Sequence, residues 1–258
     1  MKKPKKKVPS RMMKTKLSGL LIVAALMFDC ARPQDEEALA IINRSAAQID
    51  SALVKFEQAE RLPEALAAYR AVDRVLTQLE LETVHPHYRK QQSVHAQCLL
   101  RLGNMLRQLD QKDEARTVGQ RELLAARAAG DTITLARTLI SNGVTLIATG
   151  ETASGLAMME EARRLFAQDT SADSKQGLGW YWILQADLAE AGYTSASFGE
   201  RSAFADSALH LLLPLKNWPG VARAYAARAQ ANKARGNFAA ARVDSIEQAR
   251  YQTLIGER

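Results

Sequence analysis

From Asp35 to Arg258 the apolar residues return every three or four positions, and no stretch keeps the strict alternation of a half-buried strand. That spacing predicts helices over about 35–60, 63–83, 88–109, 111–129, 132–149, 151–168, 175–191, 200–213, 219–235 and 237–254. The breaks between these runs carry the residues that end and start helices. Pro63 suits a first helical position ahead of "EALAAYRAVDRVL", where its missing N–H costs nothing. Gly130-Asp131 reads as a C-terminal glycine followed by an N-cap, and Asp110 reads as a cap for "QKDEARTVGQRELLAARAA". Pro86 and Pro219 fall between runs. The result is an all-α chain of antiparallel helix pairs.

One stretch shows how the pairs are related: Ile140–Phe166, "ISNGVTLIATGETASGLAMMEEARRLF". Gly143 sits inside a helical run, where glycine costs about 1 kcal/mol relative to alanine. The template around it is Leu139, Gly143, Leu146, Gly150, Gly155, Met159 and Ala162. Upstream, Leu99, Leu102, Gly103, Leu106, Asp110 and Ala115 keep the same offsets. Downstream, Tyr181, Leu184, Gln185, Leu188 and Gly192 repeat the first helix, and Ala229, Gly236 and Ala241 mark the last copy. Leu53, Glu60, Ala65, Tyr69 and Val72 mark the first.

This pattern, a large residue, Leu-Gly, an aromatic, then Ala and Phe or Tyr, resembles the tetratricopeptide repeat family. The resemblance implies a right-handed superhelical solenoid of about five helix–turn–helix repeats over residues 35–258. The copies lie 50, 40, 42 and 44 residues apart, longer than the usual 34, as in the long-helix variants of bacterial regulatory and sensor proteins. Under this reading Gly143 and Gly103 stand where paired helices cross closely, with Ala65, Ala115, Gly155 and Ala241 as small partners. The first copy lacks both glycines, and the fourth carries an extra stretch, "GYTSASFGE" (Gly192–Glu200). Its Tyr193 and Phe198 serve either as local filler or as an interaction site.

Composition changes the picture mainly at the N-terminus. The net charge of +7 invites a nucleic-acid reading, but eight of the 35 Lys and Arg residues precede Cys30, against one of the 28 acids. The remainder balances, so nucleic acid is not the expected partner. The leader, residues 1–30, has a basic segment followed by "LSGLLIVAALMF" (Leu17–Phe28), an apolar run short of the ~20 residues that span a bilayer. "MFDC" (Met27–Cys30) resembles the lipobox of bacterial lipoproteins, which implies acylation at Cys30 and a tether over 31–34. Asp29 departs from that pattern, where a small residue is usual. Cleavage without lipid, an uncleaved anchor and a buried helix are the alternatives. Met12-Met13 begins a more conventional leader than Met1. With Cys30 acylated, Cys98 is left alone and no intrachain disulfide forms.

Few residues carry chemistry. "HPHYRKQQSVHAQC" brings His85, His87, His95 and Cys98 near one another, ligand types that zinc accepts. The competing reading, an inter-repeat turn at Pro86 with Cys98 on the apolar face, is preferred, so no metal and no cofactor are expected. No phosphate-cradling glycine loop, nucleophile elbow or HExxH is present. Glu160-Glu161 beside Arg163-Arg164 reads as a solvated face, and the chain reads as non-enzymatic.

In the resembled family the first helix of each repeat lines a concave groove. Carried onto this register, the ligand-facing positions are Asn104, Arg107, Arg137, Trp182, Arg223, Gln230 and Lys233, with Arg101 one turn from Asn104. Arginine forks and an amide suit the carboxylates or backbone of an extended, acidic peptide. The expected role is an exported, lipid-anchored protein- or peptide-binding scaffold of the cell envelope, touching membrane only through its leader. The alternative is a sensor or regulatory module acting with a separate signalling partner.

Overall fold

The computed structural model describes residues 33–256, and among them there is no strand. Ten helices follow one another: α1 Pro33–Ala52, α2 Leu62–Gln78, α3 Tyr88–Gln108, α4 Lys112–Ala129, α5 Thr132–Ala148, α6 Thr152–Ala167, α7 Ala172–Glu190, α8 Phe198–Leu212, α9 Trp218–Ala234 and α10 Phe238–Gly256. α1 runs on into a wider π turn, Leu53–Glu57. Cys30, the leader and most of the tether lie outside the described residues. No described helix is long and apolar enough to cross a membrane.

The helices form five pairs joined by one recurring turn. Glu60, Asp110, Gly150, Gly192 and Gly236 all have positive φ, between 57° and 95°. In each turn the next residue's N–H reaches back five positions to a carbonyl: Arg61 to Phe56, Gln111 to Leu106, Glu151 to Leu146, Tyr193 to Leu188 and Asn237 to Asn232. A left-handed residue followed by this six-to-one bond closes the orphan carbonyls of the first helix and reverses the chain. These five positions are the ones the repeat offsets align. Asp110 is therefore the left-handed residue rather than a cap. Gln111 takes the N-cap place of α4 without a side-chain bond. The other boundary signals act as expected. Pro63 lies in the first turn of α2, Gly130 is left-handed, and the Asp131 carboxylate accepts from the N–H groups of Ile133 and Thr134.

The midhelix glycine is explained by the pairing of α5 and α6. A Cβ placed on Gly143 would stand 2.7 Å from both the Gly155 carbonyl oxygen and Met159 Cγ. One placed on Gly155 would stand 2.5 Å from the Gly143 carbonyl oxygen. The two backbones thus touch, and the propensity cost is offset by dispersion and apolar burial along the seam. Gly103 is different. The nearest atoms to an added Cβ there, on Arg107 and Val118, lie 3.8 and 3.9 Å away, which is ordinary contact. Val118 fills the space in front of Gly103, so the α3–α4 crossing does not need a missing side chain at that point. Ala65, Ala115 and Ala241 are buried in the seams of their pairs. Leu212 of α8 fits a double notch, 2.6 Å from a Cβ built on Gly179 of α7 and 2.7 Å from one built on Gly220 of α9.

Between pairs the contacts follow one rule. α1 packs on α3, α3 on α5, α5 on α7 and α7 on α9, while no second-helix backbone comes as near to another; α2 and α4 meet through the side-chain pairs Arg70–Glu114 and Asp73–Arg121. The first helices are therefore gathered on an inner wall and the second helices spread on the outside, which curves the stack. The fold predicts three distinguishable stability changes. Gly143→Leu should destabilise by about 3 kcal/mol through overpacking, whereas Gly103→Ala should be neutral or stabilising by up to about 1 kcal/mol. Asp110→Gly should stabilise by about 1 kcal/mol by removing the left-handed penalty. Urea melts of the three variants check this, and an unchanged midpoint for Gly143→Leu would refute the seam.

Candidate binding groove

On the inner wall, three successive first helices converge on one notch of about 390 Å³. α3 contributes Leu100, Arg101, Asn104 and Arg107; α5 contributes Arg137, Ile140, Ser141 and Val144; α7 contributes Gln176, Gly177, Trp180 and Leu184. Each set holds one adjacent pair and otherwise advances by three or four, so it lies along one helix face. Phe166 of α6 closes the floor. The lining of the notch combines aliphatic and aromatic groups with three guanidinium groups.

The three arginines are held differently. Arg101 Nη1 donates to Glu57 Oε1 at 3.2 Å, and Glu57 Oε2 also accepts from Tyr69 Oη at 2.7 Å. Arg137 pairs with Asp173 at 2.8 Å. Both arginine side chains remain about a third exposed, at 34% and 38%. Arg107 lies deeper. Its Nη1 donates to Thr145 Oγ1 at 2.7 Å and to Ser141 O and Oγ at 3.3 and 3.4 Å, while Nη2 donates to Asn104 Oδ1. Burial holds its pKa below the usual guanidinium range, against the pull of Glu122.

Behind Arg107 lies a carboxyl that the sequence did not single out. Glu122 of α4 is 1% exposed. Its Oε2 accepts from Ser141 Oγ at 3.3 Å and Asn142 Nδ2 at 3.4 Å, and Oε1 has no hydrogen-bond partner. Burial pushes its pKa up to about 8, against the lowering effects of Thr138, Arg107 and Ser141. Ser141 thus touches both Arg107 and Glu122.

The other nominated residues sit elsewhere. Trp182 packs on Phe204 of α8, rings stacked 5.6 Å apart, inside the α7–α8 pair. Residues two apart on a helix point about 200° apart, so Trp180 faces the notch and Trp182 cannot. Arg223 pairs with Asp187 at 2.9 Å, the Gln230 amide donates to Glu190 across the same two helices, and Lys233 is exposed near the end of α9. These three line α9, away from the notch. The wall residues Ile140, Val144, Trp180 and Leu184 were missed because their pattern also fits core positions; only stacking separates the two roles.

His85 and His87 keep together in the turn before α3, rings 5.6 Å apart, while His95 and Cys98 are engaged by α2. His95 Nε2 lies 2.7 Å from Asp73 Oδ1, a carboxylate also held by Arg121. His85 pairs with Asp35 of α1 at 3.0 Å. Cys98 Sγ donates to the Tyr69 carbonyl at 3.3 Å, and burial pushes its thiol up to about 12, far from a reactive thiolate. Among the described residues no three ligand-type side chains gather as a metal would require.

No family model and no curated protein matches the sequence. Solved structures do. BtubC (BKLC) from P. vanneervenii superposes with a TM-score of 0.55 at 11% identity, covering 89% of this chain and 94% of that one. A Podosopora anserina kinesin light chain protein with nearly identical TPR-like repeats gives 0.48 at 12% identity, covering 84% and 98%. The fold is a tetratricopeptide-like helical repeat. At such identities the likeness speaks to architecture alone. The notch lies on the inner wall of this stack.

Glu122 gives the site a pH signature. Its folded pKa is raised, so its contribution to stability is full below about 4.5 and is lost as pH rises towards about 8. Asp73, lowered to about 2, acts oppositely and only at acid pH, losing its contribution as pH falls below about 3.8. Glu122→Gln should therefore flatten the fall in stability between pH 5 and 8 and raise the melting temperature at pH 8. Thermal melts across that range check it; an unchanged slope would mean Glu122 is ionised in the fold.

Proposed function

We propose that the chain is a non-enzymatic scaffold of the bacterial cell envelope, whose notch takes an extended, acidic segment of a partner protein. One observation carries the reading: three consecutive first helices converge on a concavity that joins an apolar wall to partly exposed guanidinium groups. An apolar side chain would enter against Trp180, Ile140 and Leu184, while flanking carboxylates would exchange with Asp173 and Glu57 for Arg137 and Arg101. A volume of about 390 Å³ admits one or two side chains, not a folded domain. The non-enzymatic part rests on Cys98 being buried and held protonated, and on His85 and His95 being engaged by Asp35 and Asp73 away from the notch. The envelope part rests on the leader: a basic segment, an apolar run and Cys30 in a lipobox-like setting.

Two measurements test the reading. Binding of fluorescent decapeptides with a central Phe, Leu or Trp and acidic flanks should be weakened about tenfold by Trp180→Ala and by Arg137→Glu. Lys233→Glu should leave it unchanged, and equal binding of basic-flanked peptides would overturn the assignment. For the anchor, the intact mass of membrane-extracted protein should show a chain beginning at acylated Cys30; an unacylated full-length N-terminus would remove it.

A further inference from the structure

The last described helix carries a surface that the groove does not use. Among the described residues α10 touches only α9, and only Ala241 and Asp244 of it are buried. Phe238, Val243 and Ile246 are 67%, 60% and 59% exposed. With Arg242 and Arg250 they occupy about 140° of arc on the helix, on the side away from Asp244, which accepts from Arg228 and Asn232 of α9.

This apolar face does not come from the repeat pattern. The register that aligns Ala241 with Gly155 sets Phe238, Val243 and Ile246 at Thr152, Ala157 and Glu160 of α6. Aligned with Ala115, they fall at Lys112, Thr117 and Gln120 of α4, all exposed. The stacking edge has changed in the opposite sense. Where Phe166 of α6 lies against Gly177 of the next pair, α10 presents an exposed Gln252. Apolar surface is thus gathered on the outside of α10, where α4 and α8 each expose a single large apolar side chain, Leu124 and Phe198.

Its charge points to the occupant. Arg242 and Arg250 lie within the face and Arg235 in the turn before it, all exposed. Among the described residues, the acid beside this face, Glu247, is paired with Arg250 at 3.4 Å. A second copy would set these arginines against their like. A lipid surface offers phosphates at the level of the guanidinium groups and hydrocarbon directly beneath. We propose that the outer face of α10 seats on anionic membrane, with Phe238, Val243 and Ile246 entering the acyl boundary and Arg242 and Arg250 on headgroup phosphates. The contact is separate from the groove and from the leader.

The test uses the full chain, so the leader contributes equally to every variant. Flotation with phosphatidylcholine vesicles, with and without phosphatidylglycerol, should show stronger binding to the anionic set. Ile246→Asp, and separately Arg242→Glu with Arg250→Glu, should lower that binding at least about fivefold with no change in melting temperature. Arg242→Lys with Arg250→Lys should retain it. Phe238→Trp should add fluorescence that brominated lipids quench. Wild-type partitioning of both the Ile246 and the arginine-reversal variants would overturn the proposal. So would a dimer in sedimentation equilibrium that Ile246→Asp dissolves while lipid binding stays intact, since the face would then belong to a second copy.

Discussion

The architecture depends on one backbone conformation repeated five times. A left-handed residue between paired helices, closed by a bond reaching back five positions, sets the angle at which each second helix returns on its first. Once that angle is common to all pairs, like helices stack on like. The first helices then meet along one wall, and everything that projects from that wall is brought into register. Glycine supplies the conformation in three of the turns, while Glu60 and Asp110 adopt it with a side chain. The first two turns therefore carry a strain that the last three do not.

The inner wall combines two demands that conflict. Helices must be close enough to share a core, yet polar groups must remain available on the concave side. The stack of α3, α4 and α5 resolves this with a buried polar cluster. Arg107 is anchored by Ser141, Thr145 and Asn104, and Glu122 sits behind them. A neutral Glu122 avoids burying a second charge, but leaves Arg107 with dipoles rather than a full counter-ion. Such clusters cost stability relative to apolar packing and fix which helix faces meet. Arg107 belongs to this frame more than to the open notch, whereas Arg101 and Arg137 keep about a third of their side-chain surface in solvent.

Much of the fold was legible from spacing. The ten helices fall where apolar periodicity puts them, and Glu60, Asp110, Gly150, Gly192 and Gly236 are the turn residues because a turn constrains sequence locally. Gly143 and Gly155 could be matched for the same reason: backbone contact leaves only glycine possible on both sides. Gly103 could not be judged this way, since the room in front of it depends on Val118 of another helix. The groove was legible only in outline. Offsets place a residue on the inner helix but leave its direction open when two candidates stand two apart, as Trp180 and Trp182 do. Glu122 gave no signal, because a lone glutamate in a helix is ordinarily exposed; its burial comes from Asn142 and Ser141 on the next pair.

The notch touches α3, α5 and α7, and therefore three coils of the stack at once. Since each pair otherwise leans only on its neighbours, the molecule is mechanically a spring. A guest lodged against three consecutive turns would clamp their spacing, so that stretching or compressing either end would be resisted at the middle. Occupancy would then be felt as stiffness far from where the guest sits.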